Sequence, residues 1–280
     1  MKIGIIGNGF IGQAMQALRS DMVEVMCYDK CNEMCEPTGT KLVDLLDCKM
    51  IFISVPTPMN KDGTPNIDIV KSVLNDLIEI GYKNYTVIRS TVPPGTCDDL
   101  NVYFMPEFLT EQNSKNDFIN NELWIYGLLG TKKDSGFKET IKELINTCYE
   151  NKCIKHNKIQ WLTNKEAEMV KYFRNTFLAV KISYSNELYN LCKLNNINYE
   201  NVRTIAAQDK RIGISHTSVP GPDGKVGFGG TCFPKDTYAL LHYMKESDMK
   251  SYILDATINR NINEDRKEHD WEESVGRAVI

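Results

Sequence analysis

The sequence predicts an α/β protein, with an N-terminal Rossmann-type, doubly wound parallel sheet followed by a helical domain that contains one long central helix. Short β-rich runs alternate with helical patterns through residues 2–130, which is typical of a parallel sheet covered by helices on both faces. The pattern Gly7-Asn-Gly-Phe-Ile-Gly12 follows the first run and opens the first helical pattern. After Thr163, apolar positions keep a spacing of three and four for about 30 residues.

The predicted elements follow this alternation in order. Strands are expected at residues 2–7, 23–29, 50–55, 85–90, 102–108 and 124–127, and helices at 10–19, 67–80 and 137–150. Thr163-Asn-Lys-Glu166 has the capping-box pattern that starts a helix, here the long helix 164–194. Shorter helices are expected at 199–209, 235–246 and 250–263. We therefore expect a dinucleotide-binding domain at 1–160, a helical domain at 161–265 and a tail at 266–280.

Charge and composition exclude several classes of function. The net charge of -4 at pH 7 leaves no basic excess for binding nucleic acid or an anionic membrane. No apolar run approaches the roughly 18 residues of a membrane helix, and the N-terminus lacks a signal-peptide pattern. Nine cysteines at irregular spacing predict reduced thiols in a cytoplasmic compartment. Cys27, Cys31 and Cys35 lack the usual spacing of zinc ligands, so no metal is predicted.

The glycine pattern predicts a dinucleotide site. Its glycines allow a tight turn, the close approach of a pyrophosphate and helix–strand packing, while N–H groups at the helix start bind phosphate. Asp29 ends the next predicted strand, where its carboxylate can accept hydrogen bonds from a ribose hydroxyl and would repel a 2′-phosphate. NAD is therefore the expected cofactor. The expected contacts in this region are Gly7, Gly9, Phe10, Ile11, Gly12, Asp29 and Lys30.

A second glycine-rich stretch surrounds one cysteine. It reads Gly224-Lys-Val-Gly-Phe-Gly-Gly-Thr-Cys-Phe-Pro-Lys-Asp236 and places Cys232 directly behind the glycines. Glycine allows positive φ and lets another molecule come close to the backbone. A buried structural cysteine needs no such preparation, so Cys232 is predicted to touch a ligand.

Three further stretches fall at the ends of predicted strands, where open α/β sheets bind their ligands. They are Val55-Pro-Thr-Pro58, Ser90-Thr-Val-Pro-Pro-Gly-Thr96 and Met105-Pro-Glu-Phe-Leu-Thr-Glu111. Together with the cysteine stretch, and in the same order, they resemble the UDP-glucose/GDP-mannose dehydrogenase family. The resemblance runs from residue 2 to about residue 265.

The resemblance implies oxidation of the C6 alcohol of a nucleotide sugar to a carboxylate with two NAD⁺, as in UDP-glucose to UDP-glucuronate. Cys232 matches the nucleophile that forms a thiohemiacetal and then a thioester. Lys171 matches the lysine that stabilises oxyanions, and Asn175 matches the residue that positions the substrate. The two residues are four positions apart on the predicted long helix, so they share one face of it. Glu107 matches the general base of thioester hydrolysis. Asp236 and Thr91 match the pair that orders the water.

The resemblance also implies binding residues and a partner subunit. Glu111 matches a glutamate between cofactor and substrate, and Arg211 matches an arginine that reaches the substrate pocket of a neighbouring subunit. The long helix 164–194 is expected to form a homodimer. Expected substrate contacts are Phe108, Leu109, Glu111, Lys171, Asn175, Arg211, Phe228, Gly229 and Gly230; further cofactor contacts are Pro56, Thr57, Ser90, Thr91, Glu111 and Lys235.

The sequence departs from the family pattern in several places. Met105 stands where Asn is usual, Gln112-Asn-Ser replaces Gly-x-Ala, and Leu123 stands where Arg is common. The family also continues into a second α/β domain that binds the nucleotide part of the substrate, and one alternative is that a separate chain supplies it. Two other functions stay open: a β-hydroxyacid dehydrogenase, which oxidises once without a cysteine, and a non-catalytic subunit that binds NAD or a nucleotide sugar.

Overall fold

The computed structural model describes all residues 1–280, which form two compact units. Unit 1 consists of Met1–Thr57 and Ile67–Lys171, and unit 2 consists of Pro58–Asn66 and Tyr172–Ile280. The division falls inside the long helix rather than at the expected boundary near residue 160. Residues 266–280, expected to be a separate tail, belong to unit 2.

Unit 1 contains a seven-stranded sheet. Its strands are β1 (Lys2–Ile6), β2 (Glu24–Tyr28), β3 (Met50–Ile53), β4 (Tyr85–Ile88), β5 (Tyr103–Phe104), β6 (Trp124–Leu128) and β7 (Ile159–Thr163), in the spatial order β2-β1-β3-β4-β5-β6-β7. The first five are parallel, β6 pairs antiparallel with β5, and β7 pairs parallel with β6. The predicted α/β sheet is confirmed. It is mostly rather than wholly parallel, because its last two strands run in the opposite direction to the first five.

Helices cover both faces of this sheet. They are α1 (Phe10–Met15), α2 (Asp68–Glu79), α3 (Thr96–Asp99), α4 (Ser114–Ile119) and α5 (Asp134–Glu150). Along β3, Met50 and Phe52 enter a core cluster with Met15 of α1, while Ile51 enters a second cluster with Val70 of α2. Alternate residues of a strand point to opposite faces, so this strand is buried on both sides.

Four elements of unit 1 differ from the sequence prediction. The strand β7 and the helices α3 and α4 were not expected, since each is only four to six residues long and lacks a clear repeat. The strand β5 is much shorter than the expected 102–108. Pro106 has no N–H to donate to a neighbouring strand, so the chain leaves the sheet there.

The long helix α6 (Asn164–Leu194) has the predicted bounds and 31 residues. Its capping box is present: the Glu166 carboxylate accepts hydrogen bonds from the Thr163 N–H at 2.8 Å and the Thr163 hydroxyl at 2.9 Å. No helix of the structure is long and apolar enough to cross a membrane.

Unit 2 contains the rest of α6 together with α7 (Tyr199–Ala206), α8 (Phe233–Glu246) and α9 (Tyr252–Arg260). A π-helical turn, Asn261–Asp265, follows α9 directly. The final residues fold back on the segment 58–66. The Met59 N–H donates to the Ala278 carbonyl at 2.8 Å, and the Trp271 side chain is buried in the same cluster.

Candidate active site

The glycine turn after β1 has the shape of a dinucleotide site. Gly7 has φ +91°, and a Cβ placed on it would lie 2.7 Å from the Ser54 carbonyl oxygen. A Cβ on Gly12 would overlap the Gly7 carbonyl oxygen, so α1 packs directly on the turn. Gly9 differs, because a Cβ there would meet nothing within 4 Å. Protein packing does not require a glycine at position 9, whereas the approach of a phosphate does.

Asp29, predicted to hold the ribose, follows β2 and is anchored to this turn. Its carboxylate accepts hydrogen bonds from the Asn8 N–H at 2.7 Å and the Cys31 N–H at 2.9 Å. The acidic side chain is thereby fixed next to the phosphate-binding turn, with lone pairs left for ribose hydroxyls. The donor and acceptor set around Gly9 fits NAD.

Glu107 and Lys171 form a buried ion pair within unit 1. The Lys171 ammonium donates to Glu107 Oε1 at 2.5 Å and to the Glu107 carbonyl at 2.8 Å. The second carboxylate oxygen, Oε2, accepts the Leu109 N–H at 2.9 Å. Lys171 also lies 5.8 Å from the centroid of the Phe108 ring. These contacts fix the backbone of the Met105–Glu111 stretch, from which substrate contacts were predicted.

The Glu107 carboxyl is held ionised despite its burial. Burial alone would raise its pKa, but the Lys171 ammonium, the Leu109 N–H and the more distant Arg89 together lower it below the ordinary value. An ionised carboxylate that is shielded from bulk water is suited to act as a base once its counterion moves.

Glu168 positions the Ser90–Thr96 stretch and was not identified from the sequence. It is buried on α6, and its carboxylate accepts the Gly95 N–H at 2.5 Å and the Cys97 N–H at 2.8 Å. Gly95 belongs to this stretch and is the N-cap of α3, and Cys97 is the first residue after the stretch. Burial raises the pKa of Glu168 although both N–H groups favour the ionised form. Its two contact partners lie 73 and 71 residues away, so no local pattern could reveal Glu168.

Arg89, at the end of β4, was also not identified. Its side chain is 2% exposed, and neither Nε nor Nη1 has a hydrogen-bond partner. It borders a cavity of about 40 Å³ that Glu107, Asp117 and Asn121 also line. Leu123, which stands where the family commonly has Arg, lines this same cavity.

Unit 2 holds the predicted nucleophile at the start of a helix. Cys232 is the N-cap of α8, and its carbonyl accepts the Asp236 N–H at 3.0 Å. The Asp236 side chain is buried, with Oδ2 accepting from the Asn175 amide at 2.6 Å and Oδ1 pairing with Lys235 at 2.6 Å. Three predicted residues, Asn175, Lys235 and Asp236, are thus joined in one hydrogen-bonded group.

The glycine loop before Cys232 rests on the π-helical turn. The Phe228 N–H donates to Asn261 Oδ1 at 2.8 Å, and the Asn261 amide donates to the Phe228 carbonyl at 2.9 Å. A Cβ on Gly227 would lie 2.5 Å from Asn261 Oδ1, and one on Gly229 would lie 2.5 Å from Arg266 Nη2. Two of the loop glycines are therefore required for packing, while Gly230 opens onto empty space.

This packing bears on the predicted substrate contacts of the loop. The Phe228 N–H is already bonded to Asn261, whereas the Phe228 carbonyl, which accepts from the Asn261 amide, keeps a second lone pair for a substrate donor. The Arg266 guanidinium packs against Gly229 and is itself held by ion pairs with Asp223 at 2.7 Å and Asp270 at 2.8 Å.

The other predicted residues are found in varied environments. The Arg211 side chain is 90% exposed and pairs with Asp209 at 2.6 Å. The Ser90 hydroxyl donates to the Val55 carbonyl at 2.6 Å. Exposed residues are Gly9, Lys30, Pro56, Glu111 and Gly230; partly buried ones are Phe10, Ile11, Asp29, Phe108, Leu109, Gly229, Cys232 and Lys235; Thr57, Ser90 and Thr91 are buried. No group of three or more His, Cys, Asp or Glu side chains could hold a metal ion.

Comparison with known proteins identifies the family. The profile of the NAD binding domain of the UDP-glucose/GDP-mannose dehydrogenase family matches residues 37–149, and the profile of its central domain matches residues 165–264. The UDP-glucose 6-dehydrogenase of Rhizobium meliloti is 31% identical over the whole of this chain and 70% of its own length. The chain belongs to the UDP-glucose/GDP-mannose dehydrogenase family. NAD is accordingly the cofactor of unit 1.

The members of this dehydrogenase family that match the chain are longer than it. It is 30% identical to the UDP-glucose 6-dehydrogenase of Pseudomonas aeruginosa and spans 65% of that protein's length. The fold matches a UDP-glucose dehydrogenase from Pyrobaculum islandicum with a TM-score of 0.77 at 24% identity, covering 93% of this chain and 67% of the other. A 3-hydroxyisobutyrate dehydrogenase from Mycobacterium tuberculosis also shares the fold, with a TM-score of 0.67 at 14% identity over 92% of this chain and 91% of the other.

A substitution at Asn261 tests whether this residue stabilises the glycine loop before Cys232. Asn261→Leu removes both hydrogen bonds to Phe228 and leaves a buried N–H and C=O unsatisfied, which costs about 1–3 kcal/mol for each group. We expect the free energy of unfolding of unit 2 in urea to fall by about 2–6 kcal/mol. The matched control is Asn263→Leu, since Asn263 is exposed and should change stability by less than about 0.5 kcal/mol. Equal effects of the two substitutions would contradict the assigned support.

Proposed function

We propose that this protein catalyses the NAD-dependent, four-electron oxidation of a nucleotide sugar at C6, with UDP-glucose converted to UDP-glucuronate. The observation that carries the proposal is the position of Cys232 at the N-terminus of the 14-residue helix α8, behind a rigidly supported glycine loop. The partial positive charge of a helix N-terminus favours the thiolate, which is the nucleophilic form of cysteine. Family membership supplies the reaction class.

The proposed reaction consists of two oxidations followed by hydrolysis of a thioester. The C6 alcohol first loses a hydride and a proton and becomes an aldehyde. The Cys232 thiolate adds to the aldehyde carbon and forms a thiohemiacetal oxyanion, which then loses a second hydride and becomes a thioester. Water cleaves the C–S bond and releases the carboxylate and the thiol. NAD⁺, when bound, accepts the hydride of each oxidation, so two NADH form for each sugar.

The charged residues of unit 1 have complementary roles in this proposal. Lys171 stabilises the negative charge that develops on the C6 oxygen. As its ammonium turns to the substrate, it leaves Glu107, which then accepts a proton from the hydrolytic water. The present geometry supports this exchange, since Glu107 is ionised and its nearest cation is Lys171.

The residues of unit 2 hold the substrate and the water in this proposal. Asn175 and Asp236 are buried and joined at 2.6 Å, so the position of each amide and carboxylate atom is fixed. We assign to Asn175 the positioning of the sugar. We assign to Asp236 the ordering of the hydrolytic water, a role in which the family resemblance also includes Thr91, a residue of unit 1.

We propose in addition that the protein is a homodimer through α6. The side chains Phe173, Phe177 and Tyr184 are 67%, 58% and 61% exposed, although polar residues of the same helix such as Ser183 and Asn186 are buried. An aromatic stripe of this kind on a single helix is expected to be covered by a partner. The exposed Arg211 is then available to a neighbouring subunit.

The dimer predicts a clear change in molecular mass. We expect light scattering to give twice the chain mass at micromolar concentration. Phe173→Glu with Phe177→Glu should give the monomer, because two charges on the stripe cannot be buried without partners. The control is Ile78→Glu, which alters a residue of α2 that is 72% exposed. A wild-type protein that is monomeric at this concentration would contradict the proposal.

An alternative function is oxidation of a small β-hydroxyacid. The observation that favours it is the likeness in fold to a 3-hydroxyisobutyrate dehydrogenase over nearly the full length of both chains. Such a reaction yields one NADH and does not use Cys232. A non-catalytic subunit is the third candidate and would bind NAD⁺ without forming NADH.

The proposed function is tested by incubating the purified protein with NAD⁺ and one candidate substrate at a time. We expect NADH absorbance and UDP-glucuronate with UDP-glucose, and little NADH with GDP-mannose or 3-hydroxyisobutyrate. NADH with the hydroxyacid alone would support the alternative. Binding of NAD⁺ without NADH from any substrate would support the non-catalytic subunit.

A further inference from the structure

Arg89 is a buried cation that the proposed reaction does not use. Its guanidinium is enclosed in unit 1, with Nε and Nη1 lacking hydrogen-bond partners. It lies over the Phe118 ring, whose centroid is 5.5 Å from Cζ. A buried charge needs an opposite charge and hydrogen bonds, and a ring face supplies only part of that stabilisation.

The guanidinium remains charged in this environment. Burial lowers the pKa of Arg89 to about 10, with Glu107 acting in the opposite direction, so Arg89 is still a cation at neutral pH. Tyr126 is nearby, but burial raises its phenol pKa and it stays neutral. The influence of Glu107 on Arg89 is mutual, since Arg89 helps to lower the pKa of Glu107.

The cavity beside Arg89 offers the missing partners. Its volume of about 40 Å³ has room for about two or three water molecules. The polar and charged residues that line it are Arg89, Glu107, Asp117 and Asn121. Two carboxylates disfavour a bound anion, whereas water can accept from the guanidinium and donate to the carboxylates.

We propose that Arg89 is a positioning residue for Glu107, and that it holds the Glu107 carboxylate ionised through water in this cavity as a second cation beside Lys171. The inference rests on the role proposed for Glu107. When Lys171 turns to the substrate, Glu107 loses its directly bonded cation while still buried. A lone buried carboxylate takes up a proton and can no longer act as a base. The backbone N–H of Arg89 donates to the Ile53 carbonyl at 2.8 Å, which fixes its main chain at the end of β4, so Arg89 remains near Glu107 when Lys171 turns.

The inference can be tested by titrating Glu107 directly. The protein is labelled with ¹³C at the glutamate carboxyl groups, and the Glu107 resonance is identified by its absence in Glu107→Gln. The charged groups around this carboxylate are Lys171 on α6, Arg89 after β4 and Asp117 on α4. We expect Arg89→Met to raise the Glu107 titration midpoint by at least about one pH unit. Arg89→Lys should restore most of the wild-type midpoint because it keeps the charge.

The control for this titration is Lys138→Met. Lys138 is another unit 1 cation over an aromatic ring, 5.8 Å from the Trp161 centroid, and does not line the cavity. Its removal should leave the Glu107 midpoint unchanged. An unchanged midpoint in Arg89→Met would overturn the inference, as would equal shifts in Arg89→Met and Arg89→Lys.

A crystal structure of the wild-type protein gives a second test that needs no variant to fold. We expect ordered water within about 2.7–3.2 Å of Arg89 Nε or Nη1, in a chain that reaches Glu107. A dry cavity would contradict the inference. Neither readout requires a substrate, so a shifted titration without NADH formation would retain the positioning role and reject the proposed function. NADH formation with an unshifted titration would do the reverse.

Discussion

Replacement of Cys232 by serine is expected to lower NADH formation from UDP-glucose by at least about 10³-fold, because removal of a nucleophile blocks the second oxidation. Any residual turnover should give at most one NADH for each sugar. The folded structure should be little affected, because the Cys232 side chain is only partly buried and makes no capping hydrogen bond to the N-terminus of α8. Thermal denaturation of the variant is the check on folding.

The matched control is Cys153→Ser. Cys153 is also partly buried but lies in unit 1, with Sγ 3.6 Å from the Arg19 carbonyl oxygen. We expect this variant to keep wild-type NADH formation. Two NADH for each sugar from Cys232→Ser would contradict the cysteine mechanism, and loss of activity in both variants would point to a general requirement for thiols in folding.

Replacement of Lys171 by methionine is expected to produce the largest loss of stability. Removing one partner of a buried ion pair leaves an uncompensated charge, which typically costs about 3–5 kcal/mol. Glu107 would be that charge, since its carboxylate is buried and bonded to Lys171 at 2.5 Å. The double variant with Glu107→Gln should recover much of the loss, because no buried charge then remains.

The pH dependence of this loss has a definite sign. In the wild-type protein the pKa of Glu107 lies below its unfolded value of about 4.3, so the pair stabilises the fold above that pH and less as pH falls through the folded pKa. Without Lys171, burial raises the pKa of Glu107 and penalises folding at neutral pH. The difference in free energy of unfolding between wild type and variant should therefore be largest near pH 7 and shrink below about pH 4.

Urea denaturation at a series of pH values measures this difference. The control is Lys181→Met on the same helix, whose ammonium donates to the Ile212 and Gly213 carbonyls at 2.8 and 2.9 Å. Its loss should cost about 1 kcal/mol at pH 7, and that cost should change only where His216 titrates, because no carboxylate accepts from Lys181 and burial, followed by Lys181, lowers the pKa of His216. A pH-independent effect of Lys171→Met would show that the lysine contributes packing rather than charge.

Features of the site that depend on residues close together in the chain could be predicted from the sequence. The sequence predicted the glycine turn before α1, the capping box at Thr163 and the full length of α6 from spacings of two to four residues. The stretch around Cys232 was predicted to touch a ligand because of its glycines. The structure adds that Gly227 and Gly229 are needed for packing on Asn261 and Arg266.

The residues that the sequence did not reveal act through distant contacts. Asn261 is 33 residues from Phe228 along the chain, and Arg89 borders Glu107 only because β4 and β5 are neighbours in the sheet. The exposed aromatic face of α6 is a further case. A helical repeat shows that Phe173, Phe177 and Tyr184 share one side, but not whether the protein itself covers that side.

The stoichiometry of NADH formation tests the central claim most directly. A limiting, weighed amount of UDP-glucose is converted to completion with excess NAD⁺, and NADH is measured by absorbance beside the remaining sugar. The account predicts two NADH for each UDP-glucose consumed, with UDP-glucuronate as the product. One NADH for each substrate molecule, or turnover that is unaffected by Cys232→Ser, would contradict it.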